Sequence, residues 1–309
     1  MPSDLTDKVV LITGPARGIG AGMARRLAAR GARLALVGME RERLAALAAE
    51  LGPRHAWFEC DVTDQGALDA AVRGTVDALG GIDVVVANAG VASNGTVAAT
   101  PAEALARTIE VNLIGVVRTV KSTLPHVEAR RGYYLLVSSA AAVAPLPGIA
   151  AYAASKSGVE QFGNAFRLEV AHKGVGVGTA HPGWVDTDLV RDQRRDLASF
   201  DETLRGLPGP FGKVTPLDEC VRALVDAVER RRRKVFVPRS IGPLAAVRQL
   251  FASPLSEAVI ARRARRMIPK VEREVGSLGR AFGENSVGLG DATPRPPEDD
   301  DGGGAAERR

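Results

Sequence analysis

The chain has 309 residues, 45% of them hydrophobic, enough to bury one large core and leave a tail. With only two cysteines, Cys60 and Cys220, it has no disulfide framework, and with no apolar run of bilayer length it is not expected to span a membrane. The net charge of +5 is concentrated, because residues 230–280 carry 14 Lys and Arg against 3 acids, so a charge-based partner argument concerns that segment alone.

The N-terminus has no basic patch followed by an apolar run, so no signal peptide is expected, and a cytoplasmic setting follows from the cysteine usage. Val9-Val10-Leu11-Ile12 reads as a short buried strand, and helical spacing runs from Gly20 to about Arg30. Leu34-Ala35-Leu36-Val37 reads as a second strand, with Leu44, Leu47 and Leu51 marking the next helix. Further strands are predicted at Trp57–Cys60, Asp83–Val86, Tyr134–Val137, Val175–Gly178 and Val235–Val237, with helical segments between them. This alternation predicts an α/β fold: a doubly wound, Rossmann-like parallel sheet of about seven strands with a C-terminal helical extension. Thr215, with Asp218 three residues on, has the signature of a helix capping box.

The compact domain is predicted to span 1–238. Residues 239–282 read as a basic amphipathic extension of short helices broken by Pro243, Pro254 and Pro269. Residues 283–309, rich in Gly, Pro and Asp, read as a disordered tail.

Two clusters carry chemistry. Thr13-Gly14-Pro15-Ala16-Arg17-Gly18-Ile19-Gly20 follows the first strand and opens a helix. Its glycines permit a tight turn and let the backbone approach a pyrophosphate, at which the helix N-terminus directs free N–H groups. This makes 1–238 a candidate dinucleotide-binding catalytic domain. Tyr152 and Lys156 lie four residues apart, on one face of a predicted helix. A lysine cation beside the phenol, together with an oxidised nicotinamide, would lower the tyrosine pKa and equip it for proton transfer.

The spacing Thr-Gly-x-x-x-Gly-x-Gly resembles the cofactor motif of the short-chain dehydrogenase/reductase family, and the similarity continues in family order from about residue 8 to 237. The resemblance implies that Asp61 and Val62 contact the adenine. Ala87-Asn88-Ala89-Gly90 is similar to the family's Asn-Asn-Ala-Gly, with Ala87 replacing the first Asn; that motif supports the sheet and borders the cofactor. His181-Pro182-Gly183-Trp184-Val185-Asp186-Thr187 resembles the segment that closes on the nicotinamide, so Pro182 and Gly183 would border it while the Val185 backbone and the Thr187 hydroxyl meet its carboxamide. Ser139, thirteen residues before Tyr152, has the spacing of the family serine that binds the reacting oxygen. Asn112 matches the asparagine that holds a structural water in the proton path, and Lys156 matches the lysine that also binds the nicotinamide ribose. Strand alternation would turn Ser138 away from the face that Ser139 occupies.

The implied activity is NAD(P)-dependent hydride transfer to or from a ketone, aldehyde or secondary alcohol. The alternatives are a β-ketoacyl thioester reductase, whose basic patch could dock an acidic carrier, and a non-catalytic NAD(P) sensor. NADP is favoured over NAD, because Gly38 stands where a carboxylate would accept ribose hydroxyl bonds, and Arg17 and Arg41 could meet a 2′-phosphate. Glu40 could swing in as the missing acid. The four histidines, His55, His126, His172 and His181, show no metal-ligand spacing, so no metal is expected. The family implies a small-molecule substrate and a homo-oligomer, dimer or tetramer.

Residues 188–214 place Leu189, Val190, Leu197, Phe200, Leu204, Leu207 and Phe211 among many charges, which suggests a lid with an apolar underside and a fairly large apolar substrate. Ile260, Ala264, Met267, Ile268, Val271, Val275 and Leu278 form a helical stripe beside Arg262, Arg263, Arg265, Arg266 and Lys270, with Pro269 expected to split or kink the helix. That stripe packs on its own protein or a second subunit; the rival reading is peripheral contact with an anionic membrane through 239–282. Arg230-Arg231-Arg232-Arg233-Lys234 is a solvated run at a helix end, and without interleaved aromatics it does not support nucleic-acid binding.

Overall fold

The computed structural model describes residues 4–93, 95–144, 146–207, 209–249 and 253–283. From residue 284 on, the predicted tail lies outside the described residues.

Seven strands form one parallel sheet: β1 (Val9–Thr13), β2 (Arg33–Gly38), β3 (Ala56–Glu59), β4 (Val84–Ala87), β5 (Tyr133–Val137), β6 (Gly176–Pro182) and β9 (Lys234–Val237). Their order is β3-β2-β1-β4-β5-β6-β9. The central strands are near-continuous Val, Leu and Ile, as burial on both faces requires, and β1, β4 and β5 are buried along their whole lengths. One face is covered by α1 (Gly18–Ala28), α2 (Arg41–Leu51) and α9 (Leu217–Glu229), through Met23, Leu27, Leu44 and Leu224. The other is covered by α3 (Gln65–Leu79), α5 (Gly115–Ala129) and α6 (Ala150–Glu169), through Leu68, Val72, Val116 and Phe166. The chain leaves β1 for β2 on one side and resumes at β4 on the other. This topological switch opens a crevice at the carboxyl ends of β1 and β4, where such sheets bind ligands.

Past β6 the chain builds a cover over that end of the sheet. The strands β7 (Trp184–Val185) and β8 (Val214–Thr215) pair with each other and bracket α7 (Asp188–Asp196) and α8 (Phe200–Gly206). The short helix α10 (Ile241–Ala246) follows β9, and the long helix α11 (Pro254–Leu278) crosses back over the cover. Val271 and Val275 of α11 are buried, the Glu274 carboxylate accepts the Ser199 hydroxyl at 2.7 Å, and Thr96 donates to Glu272 at 2.8 Å. No helix among the described residues is long and apolar enough to cross a membrane.

Two local expectations fail. The capping box does not form: α9 starts at Leu217 behind Pro216, and Thr215 is held in β8 opposite Val185 with its buried hydroxyl outside any cap. The strand pairing commits the Thr215 backbone, and the ring of Pro216 presets the turn into the helix. Pro269 likewise does not split its helix. α11 runs unbroken through it, because burial of Val271 and Val275 beyond the proline holds the second half in place against one lost N–H bond. Pro254 opens α11 and Pro243 sits in the first turn of α10, where a missing N–H costs little.

Candidate active site

The turn between β1 and α1 is built so tightly that it admits only glycine at its contact points. Gly14 has φ +64°, and a Cβ there would lie 2.9 Å from the Ala89 Cα; a Cβ on Gly20 would lie 2.3 Å from the Gly14 carbonyl oxygen. Polar bonds lock this turn to the end of β4. The Thr13 hydroxyl accepts the N–H groups of Asn88 at 3.0 Å and Ala89 at 3.1 Å, and the Asn88 amide donates to the carbonyls of Thr13 and Gly14. The resulting cleft, about 200 Å3, is lined by the turn, Gly38, Glu40, Asp61, Val62, Asn88–Gly90, Tyr152, Lys156 and Thr187. No side chain caps the start of α1, so its first N–H groups remain available to an anion.

At the end of β2 the Arg17 guanidinium pairs with the Glu40 carboxylate, while its Nη1 is buried without a partner. Gly38 has room for a side chain, since an added Cβ meets nothing closer than 3.5 Å. Arg41 does not join this group: it pairs with Glu59 at 3.4 Å, lies over the Trp57 ring and is not among the residues lining the cleft. Asp61 is tied by Thr63 and by Arg107 at 2.7 Å. Burial alone would raise its carboxyl, but these bonds outweigh it and hold the group below the ordinary carboxylate range.

The candidate reacting groups converge where α6 passes the end of β5. Tyr152 lines the dinucleotide cleft and also a smaller cavity of about 70 Å3, which it shares with Ser139 and Gly183. The Lys156 ammonium lies 5.7 Å from the centre of the Tyr152 ring and donates to the Val137 carbonyl at 2.9 Å. Burial pushes this lysine down to about 8. It also pushes the Tyr152 phenol above its ordinary value, opposed by a hydrogen bond with Ser139. In the chain by itself burial therefore outweighs the lowering expected from the sequence. The Ser139 hydroxyl donates to the Pro182 carbonyl at 3.3 Å, whereas the Ser138 hydroxyl is committed to the Lys156 carbonyl at 2.7 Å. Asn112 sits fully buried in a π-helical turn, Glu110–Ile114. It accepts the Val91 N–H, donates to the Val91 carbonyl and reaches Ser155, whose hydroxyl donates to the Tyr152 carbonyl. A Cβ on Gly90 would lie 3.1 Å from the Asn112 amide oxygen and 3.4 Å from the Lys156 nitrogen, so both polar heads face one point of the cleft wall.

Thr187 faces the cleft, its hydroxyl donating to the Val185 carbonyl at 3.2 Å, and Val185 is buried in its pairing with β8. Sequence reasoning did not find Arg107, Ser155 or Val91, which act across separations of 21 to 46 residues. Nothing in a single sequence pairs Arg107 with Asp61. Both cysteines are buried, and burial pushes each thiol up to about 12, which removes them from nucleophile chemistry.

Beyond the small cavity lies a larger one of about 450 Å3, and Leu146, Ile149, Trp184, Gln193 and Phe211 line both. Leu197, Phe200 and Leu207 from the cover and Ile260, Ala264, Met267 and Val271 from α11 close it.

A parallel doubly wound sheet, a glycine turn at its switch point and a Tyr-Lys pair beside an apolar cavity define a dinucleotide-dependent oxidoreductase scaffold. Residues 8–198 match the family model for short chain dehydrogenases, and the chain belongs to that family. It is 33% identical over 245 residues to an uncharacterized oxidoreductase of Mycobacterium tuberculosis, covering 77% of this chain and 91% of that one. It is 31% identical over 230 residues to the 3-oxoacyl-acyl-carrier-protein reductase FabG of Chlamydia muridarum, covering 72% and 91%. With dehydrogenase/reductase SDR family member 7B of Mus musculus it shares 28% identity over 275 residues, covering 85% and 83%.

Proposed function

We propose that the protein is an NADP-dependent oxidoreductase acting on a ketone, aldehyde or secondary alcohol carried by a fairly large apolar substrate. The observation that carries this reading is Tyr152, which lines both the dinucleotide cleft and the cavity leading to the apolar chamber. Thr13–Gly20, Asp61, Val62, Asn88–Gly90 and Lys156 would hold the dinucleotide, with Pro182, Gly183, Val185 and Thr187 at its carboxamide end. The tight turn, the uncapped start of α1 and the orphaned Arg17 nitrogen fit such a group. The cofactor, when bound, supplies or accepts the hydride.

The chain's own groups manage the oxygen and the proton. Ser139 holds the carbonyl oxygen, and Tyr152 gives it a proton in reduction or takes one from an alcohol in oxidation. Lys156 places a cation near the phenol, and Asn112 braces α6 through Ser155 and the Tyr152 carbonyl. Selection of NADP rests on the missing carboxylate at Gly38 and on Arg17; Glu40 must release Arg17 for a 2′-phosphate to enter.

NADPH and NADH oxidation measured over a panel of bulky apolar ketones and aldehydes tests this. Turnover with NADPH is expected. Nucleotide binding without turnover of any carbonyl would turn the reading into that of a sensor. The similarity to FabG favours a second substrate class, β-ketoacyl thioesters, which belong in the same panel.

A further inference from the structure

We infer that the chamber behind Tyr152 takes an anionic amphiphile, with the apolar body inside and a carboxylate or phosphate at a cationic mouth built by α11. This deepens the proposed reductase reading and rests on it for the reactive end of the ligand. The observation is the composition of the wall. Apolar side chains from the cover, among them Trp184, Phe200 and Phe211, face the α11 residues Ile260, Met267 and Val271. The charged residues on that wall are Arg263, Arg266, Lys270 and Glu202. Three cations against one acid is a net positive rim on an apolar chamber.

The three cations sit at intervals of three and four, so one edge of α11 carries them all, next to the edge that carries the apolar stripe. They are solvent-exposed, whereas Ile260 and Met267 are half-buried and Val271 is buried, which places the cations at the opening. Their commitments differ. Lys270 pairs with Glu202 at 3.0 Å, and the Arg263 guanidinium donates to the Gly206 carbonyl. Arg266 has no ion pair or hydrogen bond among the described residues, and it lines the wall. A guanidinium in that state offers a planar pair of donors to a carboxylate or phosphate. A neutral apolar ligand would make no use of it. Arg262 and Arg265 do not line the chamber, so only part of the basic run reaches its rim.

The test uses the full chain and reads binding directly. Of the two tryptophans, Trp184 lines the chamber and Trp57 lies on β3. Decanoate, decyl phosphate and methyl decanoate are titrated against intrinsic fluorescence, with Trp184→Phe as the control that removes the chamber signal. Either anion is expected to bind about tenfold more tightly than the ester, with a preference that shrinks at high salt. Comparing the two anions identifies the headgroup. Arg266→Glu is expected to abolish the preference while leaving ester affinity unchanged. Equal affinity for acid and ester in the wild type would overturn the inference. So would a preference that survives Arg266→Glu undiminished, or a Trp184 signal that no ligand moves. A second arm offers 10-oxodecanoate and its methyl ester with NADPH and with NADH. The acid is expected to show the lower KM at similar kcat, and Arg266→Glu to raise that KM alone. Absence of turnover with the binding preference intact would count against the reductase reading and leave the anion site standing.

Discussion

The dinucleotide cleft and the apolar chamber are linked by the small cavity at Tyr152, yet they are made in opposite ways. The cleft is made by backbone: a glycine turn, an uncapped helix start and polar bonds that fix β1 to β4. The chamber is made mainly by side chains from separate stretches of the chain, with Ser93 and Gly95 at one end and residues drawn from the segments after β5, after β6 and from α11. A backbone device tolerates no variation at a few positions and is indifferent to the rest, whereas a side-chain chamber can be re-lined without disturbing the sheet. The first suits a common cofactor and the second a particular substrate.

The sharpest test falls at the junction. Tyr152→Phe is expected to cut turnover by at least ~10²-fold while nucleotide affinity stays near wild type, because only the proton donor is removed. Near-normal kcat in that variant would sink the role given to Tyr152. A second test probes the rigid side. His181 is buried at the end of β6, stacked 4.8 Å from Phe236, and burial pushes its imidazole down from 6.5 to about 4. The unfolded chain therefore binds a proton that the folded chain refuses between those two values. Stability from this group is present above pH 6.5 and is lost as pH falls towards 4, by about 3 kcal/mol at most. Thermal melts across that window should show a steep acid slope that His181→Gln flattens; parallel slopes would refute the assignment.

The middle-sized effect concerns cofactor choice. An aspartate at Gly38 fits without strain, since its Cβ would stand 3.5 Å from Pro15, and it would accept ribose hydroxyl bonds and repel a 2′-phosphate. Gly38→Asp is expected to shift the NADPH/NADH ratio of kcat/KM by about tenfold towards NADH. A wild type that already prefers NADH would refute the NADP assignment.

What the sequence could show follows the same division. The seven strands were legible because each is a short apolar run between turn residues, and the glycine turn because its glycines follow one strand and open one helix within eight consecutive residues, although the contacts that require them come from Ala89 and Asn88 far along the chain. That Tyr152 and Lys156 share one face of α6 was legible from helical periodicity, whereas Ser139 and Asn112 became candidates only through the family resemblance. Local patterns misled where a tertiary contact outweighed them: the pairing of β8 overrode the capping signature at Thr215, and burial of Val271 and Val275 carried α11 past Pro269. Arg41 looked available to a phosphate because it follows β2; in the structure it pairs with Glu59 at 3.4 Å and lies over the Trp57 ring, away from the residues that line the cleft. The chamber was visible only as an apolar underside, since the meeting of α7, α8 and α11 is a long-range event with no local signal.

The smallest expected effect tests whether the C-terminal segment sets the chamber without touching the cleft. Arg280, just past α11, donates to Asp196 at 2.6 Å and to the Phe282 carbonyl at 2.9 Å. Asp196 ends α7, and its side chain is 3% exposed, with Arg195 as a second cation at 3.5 Å. Phe282, also buried, bridges to Ser93 in the chamber wall. Removing the Arg280 cation leaves a buried carboxylate under-compensated, and the retained Arg195 limits the cost. Arg280→Ala should lower Tm by about 2–4 °C for each kcal/mol lost and raise KM for bulky substrates several-fold, with kcat and cofactor affinity unchanged. The control is Arg191→Ala on α7, which breaks the exposed pair with Asp186 just before the helix and should change nothing measurable. If both variants behave alike, the C-terminal clasp does not hold the chamber. If Arg280→Ala weakens cofactor binding as much as substrate binding, the two regions are not separable in the way their construction implies.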